Sequence, residues 1–218
     1  MGTLTPAVED YLKTIFLLVT RGETVTTGLL AKELQVSSPS VSAMVKRLAD
    51  GELVHRGRAL TLTDAGERAA LRVVRRHRLL ETFLVKVLDM PWDEVHEEAE
   101  ALEHALSDRL EARIDAALGH PTRDPHGDPI PTPSGSHDES WGQPLTSAPE
   151  ACRFRIERVS DRHSDALRYL GDRGLRPGVV IDVETQEPYG GPRWVRVEGE
   201  RIALAPLLTG LVHGRVVR

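Results

Sequence analysis

The sequence of 218 residues has a single cysteine, Cys152. No disulfide can close within the chain, which suits a reducing cytoplasm. There is no apolar run of about 18 residues, so no membrane-spanning helix is expected. The opening MGTLTPAVEDYL lacks a basic segment followed by an apolar one, so no secretory signal is expected either. Aromatic residues make up only 4% of the chain against 40% hydrophobic residues overall. Its cores should therefore be mostly aliphatic. Net positive charge is also missing: the formal charge is −5. That balance alone argues against a nucleic-acid binder. The expectation is a soluble cytoplasmic protein.

The charges are unevenly placed, however. Asp93 to Asp115 holds nine acidic residues against Arg109 and Arg113. Pro39 to Arg58 holds Lys46, Arg47, Arg56 and Arg58 against Asp50 and Glu52. A modest average can hide one cation-facing patch and one DNA-facing patch.

Periodicity divides the chain. Residues 5–21 predict a helix, with Pro6 at its first position and Val8, Tyr11, Leu12, Ile15 and Val19 on one face. Leu29, Leu30 and Leu34 mark a short helix. Ser38-Pro39 opens a third, with Val41, Met44, Val45 and Leu48 facing inward. LVHRGRALTLT, from Leu53 to Thr63, reads as a hairpin bent at Gly57. Long helical stretches follow, from Thr63-Asp64 to about Leu88, from Pro91 to about Leu106, and from the cap Ser107 to about Leu118. Residues 119–149 are rich in Pro, Gly, Ser, Asp and His and read as a linker. Five short strands and a helix at Ser164–Gly171 then suggest a small β-barrel. The fold class is α+β. The expected division is a winged helix-turn-helix at 1–63, an all-α metal-binding and dimerisation domain at 64–120, a linker at 121–150 and a small β-barrel at 151–218.

Three helices and a hairpin make a winged helix. The outward face of the third helix carries Ser38, Ser40, Ser42, Ala43, Lys46 and Arg47, after Ser37 and beside Pro39. Hydroxyls and amides at a helix N-terminus can hold phosphate oxygens. Lys46 and Arg47 add charge there, and Arg56 and Arg58 on the wing can reach an adjacent backbone. Ala43 offers no bidentate bond to a base, only methyl contact.

The stretch His96-Glu97-Glu98-Ala99-Glu100-Ala101-Leu102-Glu103-His104 lies inside a helix. At roughly 100° per residue, His96, Glu100, Glu103 and His104 share roughly 100° of arc. Carboxylates stacked this closely repel unless a cation lies between them. His77 and Glu81 form a similar pair on the preceding helix. The two-histidine helix of a zinc protease is absent, because position 100 is not His. No second Glu-x-x-His copy supports a di-iron bundle.

Together these features resemble the diphtheria toxin repressor family of metal-dependent regulators, in the manganese-transport-regulator type that carries a C-terminal SH3-like domain. Glu9-Asp10-Tyr11-Leu12-Lys13-Thr14-Ile15 looks like the family's first helix. Ser37-Ser38-Pro39-Ser40-Val41-Ser42 is similar to the start of its recognition helix. Arg76 to Glu81 and Val95 to His104 resemble its two metal-bearing helices. Asp124-Pro125-His126-Gly127-Asp128-Pro129-Ile130-Pro131 is like the connection after them. The last 65 or so residues resemble a domain shared with a small iron-transport protein.

The resemblance implies a primary metal site of Asp10, Glu100, Glu103 and His104. Iron-type members carry methionine and cysteine at the positions of Asp10 and Glu100. Carboxylates in their place accept manganese, the weakest binder of the first-row series. An ancillary site is implied at His77, Glu81 and His96, completed by His126, His163 or Asp165. Short manganese regulators that bind two ions have an acid where this chain has Lys13. The expected function is a homodimeric, manganese-responsive repressor that binds operator DNA at metal-homeostasis genes. It is not an enzyme, and no small-molecule substrate is expected. An iron(II)-dependent repressor of the same family is the alternative, followed by a winged-helix regulator with an organic effector.

Overall fold

The computed structural model describes residues 4–136 and 142–218. It divides into two compact units. The first draws on residues up to His77, on Glu100–Arg113 and on the segment from Ile130. The second draws on Arg78–Ala99, Ile114–Pro129 and the C-terminal part up to Arg218.

The first unit opens with α1 (Pro6–Thr20), α2 (Thr27–Glu33) and α3 (Ser38–Asp50). Each start has a local cause. Pro6 and Pro39 occupy the first turns of α1 and α3, where a missing N–H costs nothing. The Thr26 hydroxyl accepts from the Leu29 amide, and the Ser37 hydroxyl from the Ser40 amide. The wing is short: β1 (Val54–His55) pairs antiparallel with β2 (Thr61–Leu62). Leu12, Ile15, Leu18, Leu30, Val41, Val45 and Leu48 form the aliphatic core. The long helix α4 (Asp64–Leu88) follows, with the Thr63 hydroxyl accepting from the Gly66 amide. Gly66 lets α4 press on the wing: a Cβ there would lie 2.0 Å from the Leu53 carbonyl oxygen.

The next helices are α5 (Val95–Glu103) and α6 (Asp108–Ala117). α5 starts later than the expected Pro91, because residues 91–94 close a turn from the Glu94 amide to the Pro91 carbonyl. Arg75 and Arg76 clasp Glu111 at 2.8 and 3.2 Å, which fixes the start of α6 in this unit.

In the second unit the C-terminal elements are β3 (Gln143–Pro144), β4 (Cys152–Val159), α7 (Ser164–Gly171), β5 (Val180–Gln186), β6 (Arg193–Val197), β7 (Glu200–Leu204), α8 (Pro206–Leu211) and β8 (Val212–Val217). The six strands form one antiparallel sheet in the order β3-β8-β4-β5-β6-β7. Phe154, Ile156, Leu167, Leu170, Ile181, Val195 and Val212 fill its core, and Trp92 joins them. A short 3-10 turn at Leu145–Ser147 and two further elements went unread in the sequence. β3 is two residues long, and α8 is a single short helix after Pro206.

The stretch read as a linker is largely packed where it is described. Arg123 bridges to Pro129, and the Asp124 carboxylate accepts the amides of His126 and Asp128, both at 2.9 Å. Gly127, at φ +91°, lies against β4, and a Cβ there would come within 2.0 Å of the Glu157 carbonyl oxygen. The Pro, Gly and Asp whose abundance suggested a linker also build tight turns.

Candidate metal centres and nucleic-acid interface

In the first unit, α1 and the end of α5 bring Asp10, Glu103 and His104 together. One ligand atom from each lies within 4.8 Å of the others. The His104 ring stands between two carboxylates. Its Nε2 is 2.8 Å from Asp10 Oδ1 and its Nδ1 is 2.7 Å from Glu9 Oε2. Glu9 was not anticipated, although it adjoins Asp10 in the sequence. Burial opposes charge on this ring, but the Glu9 hydrogen bond and the fields of Asp10 and Glu103 outweigh it. The pKa of His104 is raised.

Glu103 is almost wholly enclosed. Its Oε2 is 2.6 Å from His77 Nδ1, and its Oε1 accepts from Lys13 Nζ at 2.7 Å. Burial would raise its pKa, yet His77 and Lys13 hold it below the usual carboxylate range. Lys13 shows the converse. Burial disfavours its charge, but Glu103 and Glu100 reverse the balance and its pKa is raised. Glu100 lies 3.3 Å from Lys13 Nζ with its side chain 53% exposed. It stands beside the Asp10, Glu103 and His104 triad rather than within it. His77 faces Glu103 in this unit.

The second unit holds another cluster. Glu81, Asp124 and His126 place one ligand atom each within 4.8 Å of the others, and all three are buried. His126 Nε2 donates to the Trp92 carbonyl at 2.7 Å, and its ring stacks on the Trp92 indole at 5.6 Å between centroids. His96 lies 3.5 Å from Glu81 and 3.6 Å from Asp161. Burial disfavours the charged His126 ring, but Glu81, Asp124 and Asp161 push its pKa up to about 10. Asp124 is pushed well above the ordinary range by burial and by Asp128 and Glu81. Partial burial and Glu81 oppose charge on Asp161, but His126, His96 and Arg158 hold its pKa below the ordinary value. Asp124 and Asp161 were missed. Asp161 lies two residues before His163, and Asp124 two before His126, at the start of the quoted Asp124–Pro131 segment. His163 and Asp165 are exposed and join none of the clusters among the described residues.

Both sets suit a divalent transition ion. Their donors are carboxylate oxygens and imidazole nitrogens at mutual distances that one ion can span. In the first, the ring of His104 held by two carboxylates places positive charge where a cation would lie. In the second, His126 donates its Nε2 proton to a carbonyl and turns Nδ1 inward, as metal-bound histidines do.

Also in the first unit, Ser37, Ser38, Pro39, Ser40, Ser42, Ala43, Lys46 and Arg47 are all exposed around the start and outer face of α3. Arg56 and Arg58 are exposed on the wing. Ser42 donates to the Ser38 carbonyl at 3.0 Å, and the Ser37 and Ser40 hydroxyls lie 2.8 Å apart. No helix among the described residues is long and apolar enough to cross a membrane.

Comparison with known proteins agrees with this layout. Residues 3–59 match the iron-dependent repressor N-terminal DNA-binding domain, 63–132 the iron-dependent repressor metal-binding and dimerisation domain, and 143–208 the FeoA domain. The chain is 36% identical over 218 residues to the iron-dependent repressor IdeR of Mycobacterium tuberculosis, covering 94% of each. It is 37% identical over 199 residues to the diphtheria toxin repressor of Corynebacterium glutamicum, covering 86% of this chain and 87% of that one. Among solved structures, a manganese-dependent transcriptional repressor in complex with manganese superposes with a TM-score of 0.89 at 40% identity, over 96% of this chain and 100% of the other. The manganese regulator SloR superposes with a TM-score of 0.80 at 32% identity, over 98% of this chain and 100% of SloR. The chain belongs to the diphtheria toxin repressor family of metal-dependent, DNA-binding transcription repressors, which are not enzymes.

Proposed function

We propose that this chain is a manganese-responsive repressor that binds operator DNA as a homodimer and controls metal-ion homeostasis genes. The observation that carries the metal choice is the donor set. Asp10, Glu103 and His104 offer oxygen and nitrogen only, and Glu100 is alongside. The single thiol, Cys152, hydrogen-bonds the Pro149 carbonyl and belongs to neither cluster. Hard donors suit Mn(II), whereas thiolate and thioether donors favour softer, later metals. Iron(II) is the alternative that these donors also accept.

Asp10 would hold the ion from α1, and Glu103 and His104 from the end of α5, with Glu100 alongside on Lys13. Glu81, Asp124 and His126 would form the second site, with His96 and Asp161 beside it. A bound divalent ion supplies the charge that lets these carboxylates approach without repulsion. α1 packs under α2 and α3, so drawing His104 and Asp10 onto one centre holds the helix-turn-helix against α5. In a two-fold dimer, that constraint sets the spacing of two α3 helices, which must match major grooves about 34 Å apart. The DNA-competent arrangement is then selected from a looser ensemble. Ser37, Ser38, Ser40 and Ser42 with Lys46 and Arg47 would contact one groove, and Arg56 and Arg58 the flanking phosphates.

The test is DNA binding to a promoter fragment as Mn(II), or Fe(II) without oxygen, is titrated. Half-saturation at lower free Fe(II) than Mn(II) would favour the iron reading. Affinity indifferent to both metals would sink metal dependence. Glu103→Gln is expected to abolish the response.

A further inference from the structure

We infer that α3 reads A·T base pairs, with Ser42 as a hydrogen-bond acceptor for adenine and with Pro39 and Ala43 as apolar contacts for thymine. This rests on the reading of the chain as a DNA-binding repressor and deepens it by naming the bases that the helix selects.

The first two turns of α3 set the limits. Residues 37–44 read Ser-Ser-Pro-Ser-Val-Ser-Ala-Met and hold no Arg, Lys, Asn or Gln. The side chains that grip guanine or adenine through two hydrogen bonds are therefore absent from this stretch. Val41 is buried and Met44 is half-buried. Four hydroxyls, a proline ring and a methyl group are what face outward.

Hydrogen bonds within the helix then fix what the hydroxyls offer. A serine hydroxyl has one proton to donate and two lone pairs to accept with. Ser42 spends its proton on the Ser38 carbonyl at 3.0 Å, one turn back. The side chain is exposed, so lone pairs alone face a groove. Phosphate oxygens are acceptors themselves, and so are N7 and O6 of guanine and O4 of thymine. The donors in the major groove are the N6 amino group of adenine and the N4 amino group of cytosine. Ser42 thus selects adenine or cytosine. Ser37 and Ser40 are committed to the helix start: their hydroxyls share a proton over 2.8 Å, and Ser37 also accepts the Ser40 amide at 3.3 Å.

The apolar groups narrow the choice. Pro39 and Ala43 are both exposed and lie four residues apart, on one face of the helix. Ala43 also adjoins Ser42. Small apolar groups pack on the C5-methyl of thymine, which a C·G pair lacks. An A·T pair carries both the amino donor and the methyl group, whereas a C·G pair carries the donor alone. The exposed Lys46 and Arg47 lie one turn further along, where their charge serves phosphates.

The experiment uses the full chain with Mn(II) to select duplexes from a random-sequence library, and the selected duplex is then altered atom by atom. A·T pairs are expected at matching positions of both half-sites. Replacing adenine there by purine, which lacks the amino group, should weaken binding about 2- to 10-fold, the loss of one hydrogen bond. Replacing thymine by uracil should weaken it about 4-fold, the loss of one buried methyl group. Ser42→Ala, an exposed change whose thermal melting checks the fold, should make the purine replacement neutral and keep the uracil penalty. Ser42→Thr, whose hydroxyl can make the same bond to the residue 38 carbonyl, should restore the purine penalty. An equal loss of affinity by Ser42→Ala for selected and random duplexes would place the hydroxyl on a phosphate and overturn the inference. Selection of G·C pairs with neither penalty would also overturn it and leave the DNA-binding reading standing. Failure to retain any duplex would overturn both.

Discussion

Lys13 and Glu103 form an ion pair of 2.7 Å in which both side chains are nearly sealed from solvent, at 8% and 1% exposure. It joins α1 to the end of α5. The Lys13 ammonium also touches Glu100 at 3.3 Å, so a built-in cation stands beside the candidate metal ligands. This pair defines the first prediction. Lys13→Met leaves Glu103 without its main counter-charge, and breaking a buried pair costs about 3–5 kcal/mol. Urea unfolding of Lys13→Met should show a loss near that range. The double variant Lys13→Met, Glu103→Gln should recover part of it. Added Mn(II) should stabilise Lys13→Met more than the unmodified protein, because the released carboxylates can take a cation.

Glu9 is expected to act through His104. It holds Nδ1, and Asp10 holds Nε2, so Glu9 orients the ring and raises its basicity. Losing such an outer partner typically weakens metal binding 10- to 100-fold, a range of about 10–100. Glu9→Gln should shift the Mn(II) midpoint of DNA binding by that factor. An unchanged midpoint would show that Glu9 has no part in the site.

Metal binding should strengthen as pH rises. His104 carries a raised pKa, set against burial by Glu9, Asp10 and Glu103. The ring must give up its proton before it can ligate. Below its raised pKa protons compete with the cation, and above it they do not. Calorimetry in buffers of different ionisation enthalpy should find proton release on metal binding at the first site that falls away as the pH is raised through the His104 pKa. His104→Gln should remove that release.

Gly127→Ala should destabilise the second unit. The residue has φ +91°, and a Cβ would lie 2.0 Å from the Glu157 carbonyl oxygen. Overpacking of this kind costs about 1–3 kcal/mol, and the left-handed backbone adds to it. Thermal melting should fall. Because His126 adjoins Gly127, manganese retention at the second cluster should fall as well.

The exposed charges of α3 should act through phosphates. Arg47→Ala should lower DNA affinity at low salt and reduce the slope of log K against log salt by about 0.9 per lost contact. An unchanged slope would remove Arg47 from the interface.

Several of these groups were legible before any fold was known. The stripe of His96, Glu100, Glu103 and His104 follows from helical spacing alone. The starts of α2 and α3 follow from Thr26 and Ser37, whose hydroxyls cap amides three residues away. Such features depend on neighbours within one or two turns, so local sequence determines them. Which members of the stripe meet a partner was decided elsewhere. Glu103 is enclosed by Lys13 and His77, whereas Glu100, on the same arc, stays half in solvent. His104 and Asp10 are 94 residues apart. Asp161 reaches His96 in place of His163 or Asp165 because β4 ends next to α5 in the packed unit. Periodicity places a side chain on a face, but only the burial of distant segments against one another decides what that face meets. The sequence by itself thus determined the helices, the recognition face and the kind of donor. The tertiary structure decided which side chains meet: Asp10, Glu103 and His104 in one cluster, Glu81, Asp124 and His126 in another, and the counter-cation Lys13 against Glu103.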